Sequence, residues 1–279
     1  MSKALIVATY NIEYSRRPQQ ITKTILRMAR RGVSVICLQE MLRIPQQAFI
    51  GDVLLDVLGE SWELVYFIGK KGNYLDEGVG ILWNTKDVSL QSTNRVSLPE
   101  LKNPKRYERF FLRALGYQED LLPRRTIIAT FLFHTYSVRV TSLHLDLVGG
   151  IAHRKYQTKY LLDYVQKKQP VDSEIICGDF NTIDFLSTGK EEHSLTQLFS
   201  SYSLCDVTSA IRWSADMSQT AFGEKQTILT RIIKWFPIHA RRKLDYIWSD
   251  CTHVKKVDSK KIDSDASDHN PIITKFSFF

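Results

Sequence analysis

The sequence predicts an α/β fold. Short apolar runs rich in β-branched residues recur along the chain, and amphipathic stretches at helical spacing separate many of them. No Gly/Ser/Pro-rich linker, low-complexity tract or internal repeat interrupts the pattern, so residues 1–279 read as one domain. A composition of 43% hydrophobic and 24% charged residues suits a globular chain able to bury a large core.

Residues 4–10 are the first buried strand, ending in Thr9-Tyr10-Asn11. Pro18 suits a first helical turn, where a missing N–H is no loss, and Ile21, Ile25, Met28 and Ala29 follow on one face. Gly32 closes that helix. A second buried strand, 33–38, ends in Gln39-Glu40. An acid directly after Val-Ile-Cys-Leu is costly to bury unpaired, so Glu40 stands at an exposed strand end or faces a positive group. After Pro45, the positions Phe49, Val53, Leu54 and Val57 mark a second helix that stops at Gly59.

Strand-like pieces follow at 62–68, 79–84 and 87–97. Between 99 and 122 the pattern weakens, and Lys102, Lys105, Arg106, Arg109 and Arg113 interleave with Tyr107, Phe110 and Phe111. This reads as an insertion with helical content. Two longer strands, 125–133 and 136–143, are joined by His134-Thr135 as a tight hairpin, and the second runs into His144-Leu145-Asp146. Past Gly149-Gly150, a third helix carries Tyr156, Tyr160, Leu161, Tyr164 and Val165 on its expected apolar face. A strand at 174–178, a short helix near 191–200 and strands at 244–248, 252–262 and 271–278 complete the pattern. The stretch 212–243 is a second basic and aromatic insertion, with five Lys/Arg and no acid from Lys225 to Arg242.

Chemistry concentrates at strand ends. Alternation along a strand sends Asp179 and Asn181 the same way and turns Phe180 into the core, at the carboxyl end of a buried strand where α/β folds build sites. Asn11, Glu40, His144, Asp245 and the pair Asp268-His269 likewise fall at or just past apolar runs. Singly each has a plain explanation. Gly-Asp-x-Asn and Asp-His-Asn-Pro are turn formers, and buried Glu40 and Asp245 would normally pair with an arginine such as Arg125 or Arg242. Repetition over six separate segments is not explained by solubility. The carboxylates and amides suit a hard divalent cation, and the two imidazoles suit phosphate oxygens.

A net charge of +8 favours an anionic partner: nucleic acid, an acidic membrane surface or a phosphorylated small molecule. No apolar run reaches the ~20 residues needed to span a bilayer, and no secretory signal is visible. The four cysteines are widely spaced and read as free buried thiols, which with the missing signal gives the expectation of a cytoplasmic protein. Nothing in the sequence points to a stable protein partner.

The ordered set Thr9-Tyr10-Asn11-Ile12, Leu38-Gln39-Glu40, Ser142-Leu143-His144-Leu145, Gly178-Asp179-Phe180-Asn181, Leu244-Asp245-Tyr246-Ile247 and Ser267-Asp268-His269-Asn270-Pro271 resembles the endonuclease/exonuclease/phosphatase superfamily, the DNase I and exonuclease III type of phosphohydrolase. The resemblance implies a four-layer α/β/β/α sandwich of two mixed sheets with the site at one edge. It implies Mg²⁺, with Mn²⁺ as the alternative, on Glu40, with Asn11 and Asp268 close by. It makes Asp179 the base that orients water, Asn181 its support, His269 a phosphate contact oriented by Asp245, and His144 a further phosphate donor. Related nucleases hold part of this ground with a tyrosine, so His144 leans away from the exonuclease III branch.

A common core does not choose a substrate, because loops at the rim do. In the two insertions, Lys/Arg side chains are suited to phosphates and Tyr107, Phe111 or Trp235 to stacking on bases. Arg113, Arg154, Trp235 and Arg242 are the candidate substrate contacts. Nucleic acid is the favoured substrate. The run Ile232-Ile233-Lys234-Trp235-Phe236-Pro237 supports an anionic lipid as the alternative, and a binding module that has lost its chemistry is the third reading.

Overall fold

The computed structural model describes residues 4–43, 46–69, 76–102, 106, 124–182, 189–216, 241–250 and 254–278. In chain order the elements are β1 (Leu5–Asn11), a 3-10 turn (Glu13–Ser15), α1 (Pro18–Arg30), β2 (Val35–Arg43), α2 (Ile50–Leu58), β3 (Trp62–Gly69), β4 (Asp76–Asn84) and β5 (Ser89–Ser97). There follow β6 (Arg125–Phe133), β7 (Tyr136–His144), α3 (Gly150–Gln166), β8 (Ser173–Asp179), α4 (Lys190–Ser200), β9 (Leu204–Asp206), β10 (Ala215–Asp216), β11 (Arg241–Arg242), β12 (Asp245–Asp250), β13 (Val254–Lys261) and β14 (Ile272–Phe278).

Two six-stranded sheets result, ordered β13-β14-β1-β2-β4-β3 and β5-β6-β7-β8-β12-β9. Period-two alternation makes them a sandwich. Leu5 and Val7 of β1, Cys37 of β2, and Ile175 and Cys177 of β8 pack in one cluster between the sheets. Ala8 and Tyr10 turn outward onto Ile21, Ile25 and Met28 of α1 and Leu54 of α2. On the second sheet Ile176 turns outward onto Leu161 and Leu162 of α3 and Phe199 of α4. The layers are therefore α/β/β/α, as the resemblance implied.

Topology delivers the strand ends to one place. In each sheet a parallel pair, β1 with β2 and β7 with β8, brings two carboxyl ends side by side. The antiparallel neighbours β14 and β12 bring their amino ends to the same edge. Close approach at that edge requires Gly178, whose φ is +151 and where a Cβ would lie 1.9 Å from the Leu143 carbonyl oxygen.

Three expectations are corrected. β2 does not end at Glu40 but runs on to Arg43, with a register shift between Leu38 and Met41 that inserts an extra residue. The buried face of α3 is not tyrosine-lined, since Tyr156 and Tyr160 are exposed and His153, Arg154, Gln157 and Thr158 lie inside with Leu161, Leu162 and Val165. Cys37 and Cys177 are free buried thiols, but Cys205 is disulfide-bonded, which removes one support for a reducing compartment. No helix among the described residues is long and apolar enough to cross a membrane.

Candidate active site

Asn11 joins the two sheets. At the end of β1, its Nδ2 donates to Glu40 Oε1 at 3.0 Å and to Asp179 Oδ2 at 2.9 Å. Its Oδ1 accepts the Glu13 N–H at 3.0 Å, so the amide is held at both ends. Glu40 reaches this point because of the bulge in β2: its φ is +56, a left-handed conformation that costs a non-glycine residue energy and re-aims its side chain. Burial, reinforced by the charge of Glu77, raises the Glu40 pKa well above the usual carboxylate range, although the Asn11 hydrogen bond opposes this.

Asp179 is the last residue of β8 and is buried. Its Oδ1 accepts the Asn181 N–H at 2.8 Å, while Asn181 Nδ2 donates to the Leu145 carbonyl at 2.9 Å. Asn181 itself has φ +48, so the chain has already left the strand, and the two residues are linked by a turn rather than by strand alternation. Phe180 does turn inward, onto Phe199, Tyr246 and Trp248. Asp179 and the two imidazoles are close together: His144 Nε2 is 3.6 Å and His269 Nε2 is 3.7 Å from Asp179 Oδ2.

His269 is braced by a carboxylate. Its Nδ1 lies 2.8 Å from Asp245 Oδ2, and Asp245 stands opposite Asp179 in the β8–β12 register. Ser214 Oγ accepts the N–H groups of both Leu244 and Asp245 at 3.0 Å. Ser267 Oγ donates to the Asn11 carbonyl at 2.8 Å and accepts the His269 N–H at 3.0 Å. Burial alone would lower the His269 pKa, but Asp245, Asp179 and Asp268 together raise it well above the usual imidazole value. The three carboxylates therefore favour the protonated ring.

His144 is braced differently. Arg124 Nη1 is 3.2 Å from His144 Nδ1 and 2.7 Å from Glu77 Oε1, and Arg124 Nε donates to Asp146 Oδ1 at 3.1 Å. Asp146 Oδ2 in turn meets His153 Nε2 and Gln157 Nε2, each at 2.8 Å. His153 packs so closely on Gly149 (φ +91) that a Cβ there would sit 2.7 Å from its own Cβ. Burial would raise the Glu77 carboxyl, but Arg124 and His144 override it and bring its pKa to about 2.

The donor set fits a divalent cation. Glu40, His144 and Asp179 each offer a ligand atom within 4.8 Å of the others, as do Asp179, Asp245 and His269. Buried carboxylates whose charge is not balanced are what such an ion would stabilise, and Asp245 Oδ1 is buried with no hydrogen-bond partner.

The family model described as Endonuclease/Exonuclease/phosphatase family matches residues 8–269. The chain belongs to this family. Solved structures agree on the fold. An endonuclease/exonuclease/phosphatase family protein from Leptotrichia buccalis C-1013-b superposes with a TM-score of 0.72 at 17% identity, covering 99% of this chain and 100% of that one. TDP2 of D. rerio in complex with a single-strand DNA product gives 0.64 at 16% identity, covering 99% of each chain. The human Nocturnin catalytic domain with a bound sulfate anion gives 0.63 at 16%, covering 99% and 94%. No curated protein sequence matches the chain. Members of the endonuclease/exonuclease/phosphatase family are hydrolytic phosphoesterases, generally dependent on a divalent metal.

Of the residues singled out in the sequence, Asn11, Glu40, His144, Asp179, Asp245, Asp268 and His269 come together. Asp268 Oδ1 is 4.0 Å from His269 Nε2. Asn181 stands against Asp179. Arg154 does not reach a substrate surface, because it is buried, with Nη2 on both oxygens of Glu191 at 2.6 and 2.7 Å and Nη1 on the carbonyls of Asp146 and Leu147. Arg242 is half-buried on β11, its Nη1 on the Arg241 carbonyl. Arg113 and Trp235 lie outside the described residues, as does most of both insertions. Neither Arg125 nor Arg242 pairs with the buried acids: Arg125 donates to Ser97 and lies over Phe67. Sequence reasoning missed Glu77, Arg124 and Ser214, and it quoted Ser267 within its motif without giving it a role. Of the residues that brace His144 it quoted only Asp146, as a bystander to His144.

Proposed function

We propose that this protein is a divalent-metal-dependent phosphodiesterase that hydrolyses nucleic acid by in-line attack of water. The observation that carries this reading is one carboxylate oxygen, Asp179 Oδ2, held by Asn11 at 2.9 Å and set 3.6 and 3.7 Å from two imidazole nitrogens. Asp179 is fixed by donors on both oxygens, which suits it to orient a water and receive its proton. His269, whose protonated form is favoured by its three carboxylate neighbours, donates to a phosphate oxygen as negative charge develops there. Asp245 orients that ring and Ser214 holds the Asp245 backbone. His144 presents Nε2 from β7, beside Asp179 in the same sheet, and contributes a second imidazole to the same phosphate. Glu40 and Asp179, with Asn11 and Asp268 at the edge, are the residues that would hold Mg²⁺ or Mn²⁺. When bound, such an ion acidifies water and neutralises phosphate charge.

Nucleic acid as the substrate draws support from the net charge of +8 and from the single-strand DNA product bound to the related TDP2 structure. The test is a substrate panel of single- and double-stranded DNA, RNA, phosphoinositide and sphingomyelin, run with Mg²⁺ and with chelator. Metal-dependent cleavage of a nucleic acid is expected. Turnover confined to the lipids would replace the substrate while keeping the chemistry, and no turnover of any ester would favour the binding-module reading.

A further inference from the structure

From Tyr14 to Gln39 the chain carries six cations, Arg16, Arg17, Lys23, Arg27, Arg30 and Arg31, and no acid. Helical geometry gathers Lys23, Arg27, Arg30 and Arg31 with Gln20 along one side of α1, and Arg16 precedes them at the same spacing. All five of these cations are exposed, while Ile21, Thr24, Ile25 and Met28 face the sheet.

Intramolecular electrostatics explain only part of this stripe: Arg16 lies 3.9 Å from Glu13, and Arg27 is close enough to Asp263 to help hold its pKa down. The helix dipole favours Arg27 and Arg30 near the carboxyl end but disfavours Arg16 and Arg17 at the amino end, where no acid occupies the first turn. Lys23 and Arg27 are like charges four apart, an arrangement that weakens a helix. Among the described residues, Lys23, Arg30 and Arg31 make no ion pair or side-chain hydrogen bond, unlike Arg124, Arg139, Arg154 and Lys243, which are engaged inside the fold. On the adjoining loop Asp263 is already paired with Lys261 at 2.9 Å. Asp265 is the other exposed acid of that loop, and Asp52 and Asp56 on α2 make no ion pair with the stripe.

The stripe leads to the site. The 3-10 turn (Glu13–Ser15) links it to Asn11, and Arg17 and Arg27 donate to the carbonyls of Asp265 and Asp263, just ahead of Asp268-His269. From Arg16 to Arg31 the rise is about 22 Å, over which one strand of a duplex presents about six phosphates. Its exposed positions between the cations are Pro18, Gln19 and Gln20, with no large apolar side chain to enter a bilayer. We propose that the basic side of α1 is a track for the backbone phosphates of a nucleic acid flanking the scissile bond. This rests on the nucleic-acid reading above.

The test compares wild type with Lys23→Gln/Arg30→Gln/Arg31→Gln and with Lys23→Glu/Arg30→Glu/Arg31→Glu, changes that remove no internal contact. Turnover of single- and double-stranded DNA oligonucleotides and of bis(p-nitrophenyl) phosphate is followed from about 50 to about 200 mM salt, together with binding to phosphatidylserine vesicles. The oligonucleotide KM is expected to rise about tenfold or more in the reversal variant, and the slope of log kcat/KM against log salt to fall by about two in the neutral one, with the small ester unaffected. Oligonucleotide turnover with an unchanged KM and slope in the reversal variant would overturn the track alone. Loss of vesicle binding in place of the KM effect would do the same. If wild type cleaves the small ester but no oligonucleotide, the nucleic-acid reading falls and the track falls with it.

Discussion

His144 and His269 approach the same oxygen of Asp179 at nearly equal distance, yet they are braced by different chemistry. Behind His269 stands one carboxylate, Asp245, positioned by backbone bonds to Ser214 and paired with no arginine among the described residues. Behind His144 stands an arginine bridging two acids, Glu77 and Asp146, the second of which is anchored on α3. An imidazole beside uncompensated carboxylates keeps its proton. His144 also has carboxylates on its Nε2 side, Glu40 at 3.8 Å and Asp179 at 3.6 Å, but on its Nδ1 side the Glu77 charge is met by Arg124. The comparison teaches that the two rings need not share a role: His269 sits among carboxylates that favour its protonated form, while the Nδ1 side of His144 is oriented by an arginine–glutamate pair.

The largest expected effect comes from the His269 side. Asp245→Asn removes the charge that holds the imidazolium, and kcat is expected to fall by about 10³-fold with little change in KM, read from steady-state kinetics. A drop shared equally by kcat and folding stability would instead make Asp245 a structural acid. On the other side, Arg124→Met leaves Glu77 and Asp146 buried without their cation. Unfolding in denaturant should show a loss of about 3–5 kcal/mol, with kcat lower by about 10- to 100-fold. If stability is untouched, the description of His144 as braced through Arg124 fails.

A pH scan of stability sharpens the contrast. The Glu77 pKa in the fold is about 2 against 4.5 ordinarily, so its contribution is complete above 4.5 and is lost as pH falls through that window. That contribution is about 3 kcal/mol, and Glu77→Gln should flatten the acid limb of the curve. The smallest effect is expected from Ser214→Ala, which removes an acceptor for two N–H groups. It should cost about 1–2 kcal/mol and reduce kcat only a few-fold, as seen by thermal melting and the same assay.

Much of this arrangement was legible in the sequence, because strand ends are where apolar runs stop. The hairpin of β6 and β7 follows from alternation interrupted at His134-Thr135, and its observed bounds differ from the expected ones by one residue. Glu40 was legible as an acid after an apolar run, but not the bulge that carries β2 past it, since an inserted residue shows only against a partner strand. The α3 face was misread because its interior is polar: His153, Arg154 and Gln157 are buried to hold Asp146 and Glu191, which hydrophobic spacing does not register. Glu77 and Arg124 left no local signal, being 47 residues apart and meeting only when β4 and β6 stack across the sandwich.

The central claim is that acids, amides and imidazoles from both sheets form one metal-dependent hydrolytic pocket around Asp179. Its most direct test is hydrolysis of bis(p-nitrophenyl) phosphate by wild type and Asp179→Asn, each with Mg²⁺, with chelator and with Mg²⁺ restored. Turnover by wild type should vanish with chelator and return with the metal, and should be lower by about 10³-fold or more in Asp179→Asn. Equal turnover in the two proteins, or turnover indifferent to chelator, would contradict it.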